Sequence, residues 1–320
     1  MSVHRGRVVA VLCSVVFVVS AATAPRAFAQ APVTGPLILH VPASARTAAL
    51  GNAWVAGRDA DVIFHNPAQL IGQRQGFDLS VTRLGPASTM ASIGSVFAAG
   101  KWSLTFGWGA QIVGFNADAA VSHPYSPDLL QARGSRSGSD ALVVAGAAIV
   151  FKGFRIGVAG KYVSELASPL SSTLLPVRAN HQMVLADVGV ARNMFGGTAA
   201  LAFQNLGRHS HDNGGYLPLP RQLALGWSSL KQAGPLDLGL FTQVAARKDW
   251  VSPAAGLEVG YSWIDGYNVT FRLGGRRTET NAERPISMGA ALRADRLTVE
   301  YAVRFFHGGY TANGVTVRWR

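Results

Sequence analysis

Short segments in which apolar and polar residues alternate recur along most of this chain. The 320 residues are 48% hydrophobic and 14% charged. After the N-terminus, no stretch approaches the roughly 18 consecutive apolar residues of a membrane-spanning helix. A period of two gives each segment one apolar face and one polar face. Two folds satisfy this pattern: a large soluble β-domain, or a closed β-barrel whose outer surface faces lipid.

The clearest alternating segments are residues 102–109, 154–162, 267–274 and 297–305. Their second face carries charged side chains, namely Arg155, Lys161, Arg272, Glu300 and Arg304. Charge on that face indicates contact with water or with a charged lumen. We count about fourteen such segments, and an even number is typical of single-chain bacterial barrels.

The connections between these segments alternate in length. Tight turns are predicted at residues 99–100, 152–153, 193–196, 229–234, 265–266 and 294–295. Longer links fall at residues 116–138, 167–180, 207–220, 246–252, 275–284 and 307–312. Short turns at one end and long loops at the other are typical of membrane barrels. The sequence therefore predicts an all-β, antiparallel transmembrane barrel of about fourteen strands.

The first 29 residues have the pattern of a cleaved secretory signal. Arg5 and Arg7 precede an apolar stretch over residues 8–22, and Ala27-Phe28-Ala29 supplies a small-x-small cleavage site. The only cysteine, Cys13, lies within this segment, so the mature chain is expected to contain no disulfide. Together with the strand pattern, this signal predicts export to the bacterial outer membrane.

The chain is basic, with a formal net charge of +12. In a cytosolic protein such a charge would favour nucleic-acid binding. Because an exported chain does not meet nucleic acid, the expected partners are outer-membrane lipid and the phosphates of lipopolysaccharide, or anionic solutes.

Residues 44–70 carry a family resemblance. The matching positions are Ser44, Ala45, Arg46, Gly51, Ala53, Asp59, Asp61, Asn66, Pro67, Ala68 and Leu70. This segment resembles the N-terminal signature of the FadL-like outer-membrane superfamily, particularly its PorV/PorQ branch. Later stretches, such as Gln204-Asn205-Leu206-Gly207, are similar to that branch too. Two departures are Gln69, where members typically carry Gly, and the terminal Arg320, where most outer-membrane barrels end in an aromatic residue.

The same segment has its own physical interpretation. Residues 45–56 are rich in Ala and other small residues and could form a short helix, and Asn66-Pro67 is a turn-prone pair. An irregular segment cannot face lipid, where its backbone groups would be unpaired, so it must lie in the periplasm or in the lumen. Arg46, Asp59 and Asp61 are then either solvated or paired with charges in the lumen.

The resemblance implies that residues 30–76 form a hatch that enters the lumen of a barrel spanning residues 77–320. The candidate binding residues of this hatch motif are Arg46, Gly51, Asp59, Asp61, Asn66, Pro67 and Ala68. Within the longest loop, Tyr125, Leu129 and Leu130 form either an apolar capture patch or a cover over the barrel mouth.

No catalytic or metal site is predicted. His209, His211 and Asp212 lie among turn residues and lack a further spaced ligand, so a solvated loop is the expectation. Neither a Gly-x-Ser-x-Gly elbow nor a metalloprotease His-Glu pair is present, and no cofactor is expected.

Two functions remain open at this stage. The first, suggested by the FadL resemblance, is a channel for the diffusion of small hydrophobic solutes. The second, suggested by the PorV resemblance, is a non-transporting role in protein secretion, in which the barrel binds secretion-system proteins.

Overall fold

A computed structural model describes residues 35–73, 75–85, 88–99, 104–116, 135–169, 179–209, 219–248, 250–279 and 282–320. The predicted signal, residues 1–29, lies outside these residues. The described part forms fourteen strands: β1 Gly76–Gly85, β2 Ser88–Ala99, β3 Leu104–Asn116, β4 Ser135–Phe151, β5 Phe154–Pro169, β6 Ala179–Met194, β7 Gly197–His209, β8 Gln222–Ala233, β9 Leu236–Arg247, β10 Trp250–Ile264, β11 Tyr267–Arg276, β12 Glu283–Ala294, β13 Leu297–Phe306 and β14 Thr311–Trp319.

The strands close into a single antiparallel barrel. Each strand pairs with its neighbours in sequence, and β1 closes the sheet against β14, with Leu79 opposite Val317. The predicted fourteen-stranded barrel is therefore confirmed. Tight turns such as Asp265-Gly266 gather at one end, here called the turn end, where β1 begins and β14 finishes. The opposite end, where the longer links lie, is called the loop end.

The wall is apolar outside and polar inside. Outward side chains include Phe271, Leu225 and Tyr301, which are 64%, 58% and 46% exposed. The alternate positions point into the lumen, where Arg272 and Glu300 are buried. This is the alternation expected of a strand that has lipid on one side and a filled, polar interior on the other.

The segment before β1 lies inside the barrel, and its residues 35–73 are called the hatch. It contains one α-helix, α1 (Ala45–Ala49), and three short 3-10 helices, Leu37–Leu39, Ala60–Phe64 and Pro67–Leu70. Helix α1 begins at Ser44, whose Oγ accepts a hydrogen bond from Thr47 N at 3.1 Å. The helix suggested for residues 45–56 was too long, because Gly51 and Asn52 adopt φ of 65° and 63° and end it.

The hydrophobic core lies in the lumen, between the hatch and the inner wall. Leu50, Trp54 and Ile63 of the hatch are fully buried, and the Trp54 ring packs 5.4 Å from Phe241 of β9. Full burial of such side chains contributes about 1.5–3 kcal/mol each. None of the helices among the described residues is long and apolar enough to cross a bilayer.

Candidate functional site

Arg46 ties the hatch to the middle of the barrel wall. Its Nε and Nη2 atoms donate to the two carboxylate oxygens of Glu258 at 2.7 and 2.5 Å. Its Nη1 atom donates to Asp59 at 2.5 Å. Burial lowers the pKa of Arg46, but Glu258 and Glu300 together outweigh burial and leave the pKa above its ordinary value. A two-pronged contact of this kind fixes orientation as well as position.

Asp59 gathers cations at the turn end of the lumen. Besides Arg46, its carboxylate contacts Arg318 of β14 at 2.9 Å and the terminal residue Arg320. Its backbone φ of 91° is unusual for a residue with a side chain. Of the two alternatives that the sequence left open, solvation or pairing in the lumen, the structure shows pairing for Arg46 and Asp59, with Glu258 and Arg318 as partners that the sequence had not indicated.

Asp61 forms hydrogen bonds rather than an ion pair among the described contacts. Its carboxylate accepts from Ser44 Oγ and Thr47 Oγ1, each at 2.6 Å, and from Trp54 Nε1 at 2.9 Å. These three donors come from the start of α1 and the turn that follows it. Asp61 therefore folds the hatch upon itself instead of binding it to the barrel.

The Asn66-Pro67-Ala68 turn lies against the inner wall. Asn66 Oδ1 accepts from Ala68 N at 3.1 Å, and its amide donates to Val55 O at 2.8 Å. A Cβ on Gly189 of β6 would lie 1.9 Å from Asn66 Oδ1. Gly51 makes a similarly close approach, with Gly275 of β11 facing it. The hatch motif can therefore dock because the facing wall carries glycine.

A cavity of about 90 Å³ lies on the loop-end side of the hatch. One part of its lining is apolar and includes Ile38, Val41 and Phe64 of the hatch and Leu142 of β4. The other part is polar and includes Asn52, His65, Gln111, Gln204, Gln243 and Lys161. The cavity thus offers an apolar face and a hydrogen-bonding face to the same ligand.

The charged groups that line this cavity are engaged with groups of opposite charge. Lys161 Nζ lies 2.7 Å from Asp187. Arg247 and His40 both contact Glu279, at 2.5 and 3.0 Å. Burial raises the pKa of Glu279, but His40 and Arg247 together hold it below its ordinary value.

Three uncharged lining residues have a buried polar atom without a hydrogen-bond partner within the described part of the chain: Asn52 Oδ1, His65 Nε2 and Gln111 Nε2. Burial lowers the pKa of His65 to about 3, and the charge of Lys161 acts in the same direction. At neutral pH, His65 is therefore an uncharged imidazole that can donate or accept.

Among the described residues, the strand pairing of the wall beside the cavity stops short. Strand β7 pairs with β8 from Thr198 to Gln204, whereas β7 continues to His209 and residues 219–221, which precede β8, are not part of a strand. A bulge in β7 turns both Gln204 and Asn205 inward, and Asn205 adopts a φ of 58°. The Gln204-Asn205 stretch singled out in the sequence marks this bulge. We call residues 205–209 of β7 and residues 219–221, which precede β8, the seam.

Side chains bridge the seam where the backbone ladder stops. Asn205 Nδ2 donates to Pro220 O at 3.0 Å, and Asn205 Oδ1 accepts from Lys161 Nζ at 3.1 Å. Arg221 Nη2 donates to Gly207 O at 2.5 Å. A few side-chain hydrogen bonds open more readily than a full ladder, so the seam is a weak stretch of the wall.

Other predicted positions fall outside this arrangement. Tyr125, Leu129 and Leu130 lie outside the described residues, as do His211 and Asp212. His209 ends β7. Among the residues that the structure describes, no group of His, Cys, Asp and Glu could hold a metal ion.

The closed wall, apolar outside and filled by a hatch inside, defines a plugged β-barrel of the transmembrane class. Three solved structures share this fold. The toluene transporter TbuX of Ralstonia pickettii has a TM-score of 0.54 at 13% identity, over 87% of this chain and 98% of that chain. The monoaromatic hydrocarbon channel CymD has a TM-score of 0.57 at 11% identity, over 92% and 98% of the two chains.

A deltaS2S3 mutant of the monoaromatic hydrocarbon channel TodX has a TM-score of 0.52 at 11% identity, over 86% of this chain and 98% of that chain. At such identities the likeness is one of fold. No protein-family model matches the sequence, and no curated protein sequence matches it either. The PorV/PorQ branch, and the secretion role that the resemblance implied, is not shown by these likenesses.

Proposed function

We propose that this chain is a FadL-like outer-membrane channel, not an enzyme, through which small hydrophobic solutes diffuse. The observation that carries the proposal is the position of the cavity, which shares Asn205 and Pro220 with the seam and is also lined by Gln204, the last paired residue before it. The turn end then faces the periplasm and the loop end faces the outside. The shared fold with three hydrocarbon channels supports the same function.

The path that we propose runs from the loop end into the cavity and then through the seam into the lipid. The hatch fills the lumen towards the turn end, where Asp59 and its cations lie, so a straight path to the periplasm is closed. Within the described part of the chain, a sideways path crosses the side-chain contacts of Asn205 and Arg221. An apolar solute that leaves by this path enters the apolar interior of the membrane and not water, and this transfer is favourable in free energy.

The lining of the cavity narrows the class of solute. An apolar cavity of about 150 Å³ holds benzene, so at about 90 Å³ a single-ring solute requires a small movement of the hatch. Because the charged groups of the lining are already paired with one another, a charged solute would gain little binding free energy from them. The uncharged Asn52, His65 and Gln111 favour a neutral ring that carries a hydroxyl group, such as phenol or benzyl alcohol.

The function is tested by uptake into proteoliposomes, with toluene, benzyl alcohol and benzoate as solutes. We expect faster entry of both neutral compounds than in protein-free vesicles, with benzyl alcohol at least as fast as toluene and no effect on benzoate. Equal rates with and without protein would rule out a channel. Entry of benzoate alongside the neutral compounds would indicate an open aqueous pore instead.

The sideways path is tested by cross-linking the seam. With residues 1–29 removed the chain has no cysteine, so a pair placed at the exposed positions Leu206 and Arg221, on either side of the seam, can be joined with a short thiol-specific reagent. The matched control joins Leu225 and Val244, which are paired across β8 and β9 and point outward. We expect the first cross-link, but not the second, to reduce uptake severalfold. Unchanged uptake with a closed seam would exclude this path.

A further inference from the structure

The loop end of the barrel carries an arc of outward-facing cations over strands β7 to β12. Arg208 is the second-last residue of β7, Arg221 precedes β8, Lys248 follows β9, Arg277 follows β11 and Arg284 lies near the start of β12. Four of these side chains are exposed, and Arg277 is partly exposed. We call these five residues the basic arc.

The basic arc lies just beyond the apolar belt of the wall. On each element, the cation lies beyond the last strongly exposed apolar side chain of the outer face. These side chains are Leu206, Leu223, Val244, Leu273 and Ile286, and they are 37–49% exposed. In a bilayer, the level just above the hydrocarbon boundary is that of the lipid headgroups. The cations of the arc therefore stand at headgroup level.

The sign of the charge differs between the two ends of the barrel. At the loop end of β7 to β12, the described acidic residues turn away from lipid: Glu279 contacts Arg247, and Glu283 contacts Arg276. At the turn end, exposed cations such as Lys231 stand together with exposed acids such as Asp265. A surface of one sign attracts the opposite charge, whereas a mixed surface does so weakly.

We propose that the basic arc binds the phosphate groups of lipopolysaccharide in the outer leaflet of the membrane. This proposal rests on the outer-membrane placement given above. Guanidinium groups match phosphate oxygens in a two-pronged geometry, and clustered Lys and Arg beside a bilayer bind anionic headgroups. The Arg277 guanidinium stacks 3.8 Å from the Trp250 ring, which holds one of these cations in place.

The variant that tests the arc replaces Arg208, Lys248 and Arg284 with glutamine. It leaves Arg221, which bridges the seam, and Arg277, which stacks on Trp250. The matched control replaces Arg192, Lys231 and Arg293 with glutamine. These residues are exposed at the turn end, so their replacement changes the net charge by the same amount.

Binding is measured on the mature protein in a zwitterionic detergent, with purified lipopolysaccharide as the probe. We expect about tenfold or greater loss of affinity for the arc variant and no loss for the control. We also expect dephosphorylated lipopolysaccharide to bind wild type as weakly as intact lipopolysaccharide binds the arc variant. Heat-modifiable migration on gels verifies that each variant is a folded barrel.

Three outcomes would overturn the proposal: equal loss in both variants, equal binding of the phosphorylated and dephosphorylated forms, or competition by millimolar inorganic phosphate, which would indicate a site for free anions. Solute uptake is measured in vesicles without lipopolysaccharide, so failure of the channel function and failure of this surface are recorded separately.

Discussion

At the scale of single residues, the hatch motif works through close contacts that only small wall residues permit. Gly189 lets the Asn66 side chain approach the backbone of β6, and Asn66 then holds its own turn through Ala68 and Val55. A family resemblance marked Asn66, Pro67 and Ala68, but no signal in the sequence pointed to Gly189. Its role became visible only when the hatch and β6 were placed together.

Gly189→Ala is expected to loosen the hatch without opening the barrel. The new Cβ would lie 1.9 Å from Asn66 Oδ1, so the turn must shift at a cost of about 1–3 kcal/mol. Hydrogen exchange of hatch amides should accelerate about tenfold, as such a cost implies. Gly160→Ala is the control, because nothing lies within 4 Å of a Cβ there. Similar exchange in both variants would contradict the contact.

His65 predicts a dependence on pH. Its pKa is about 3 when the hatch is packed, against an ordinary value of about 6.5. Below that ordinary value the released hatch binds a proton that the packed hatch does not, so packing weakens as pH falls from about 6.5 towards 3. In wild type, protease cleavage of the hatch should increase as the pH falls from 7 to 5, a range in which most carboxylates stay charged. Cleavage of the His65→Gln variant should not change with pH. If cleavage of wild type and of the variant changed with pH in the same way, His65 would not be the group responsible.

At the scale of elements, the hatch is held to the wall by ion pairs at two levels of the lumen. Arg46 binds Glu258 of β10 at mid-height, and Asp59 binds Arg318 of β14 near the turn end. The terminal Arg320, which departs from the usual aromatic end, also contacts Asp59. Arg320, which follows β14, therefore helps to hold the hatch.

Asp59→Asn is expected to destabilise hatch packing more than Arg320→Gln does. Loss of the anion leaves Arg46, Arg318 and Arg320 crowded around a neutral amide, and breaking a buried pair costs about 3–5 kcal/mol. Arg320 is partly exposed, so its loss should cost less. Protease release of the hatch in denaturant measures both. The reverse order would show that Arg320, rather than Asp59, is the main attachment.

At the scale of the whole molecule, the barrel and the hatch depend on different interactions. The wall is closed by backbone hydrogen bonds between strands that are adjacent in sequence, with β1 and β14 completing the ring. The hatch supplies a large part of the lumen core, including Leu50, Trp54 and Ile63. The wall should therefore survive loss of the hatch, although with lower stability.

Deletion of residues 36–73 is expected to leave a closed barrel that unfolds at a lower temperature and conducts ions. The wall keeps its own lumen pairs, such as Arg272 with Glu258 and Glu300, so its inner charges are not orphaned. Heat-modifiable migration measures closure, and planar-bilayer conductance measures the pore. The reference is wild-type protein reconstituted in the bilayer at the same protein density. A closed barrel without added conductance would show that the lumen is sealed by something other than the hatch.

The sequence by itself determined the barrel, its fourteen strands and the alternation of turns and loops. These features are local: a period of two within each strand, and hydrogen-bonding neighbours that follow one another along the chain. It left Arg46 and Asp59 either solvated or paired in the lumen. Only the tertiary structure decided that they are paired and with which partners, since Arg46 and Glu258 are 212 positions apart. The seam, too, needed the tertiary structure, because the point where the described part of β7 stops pairing with β8 depends on both strands and not on the pattern of either one.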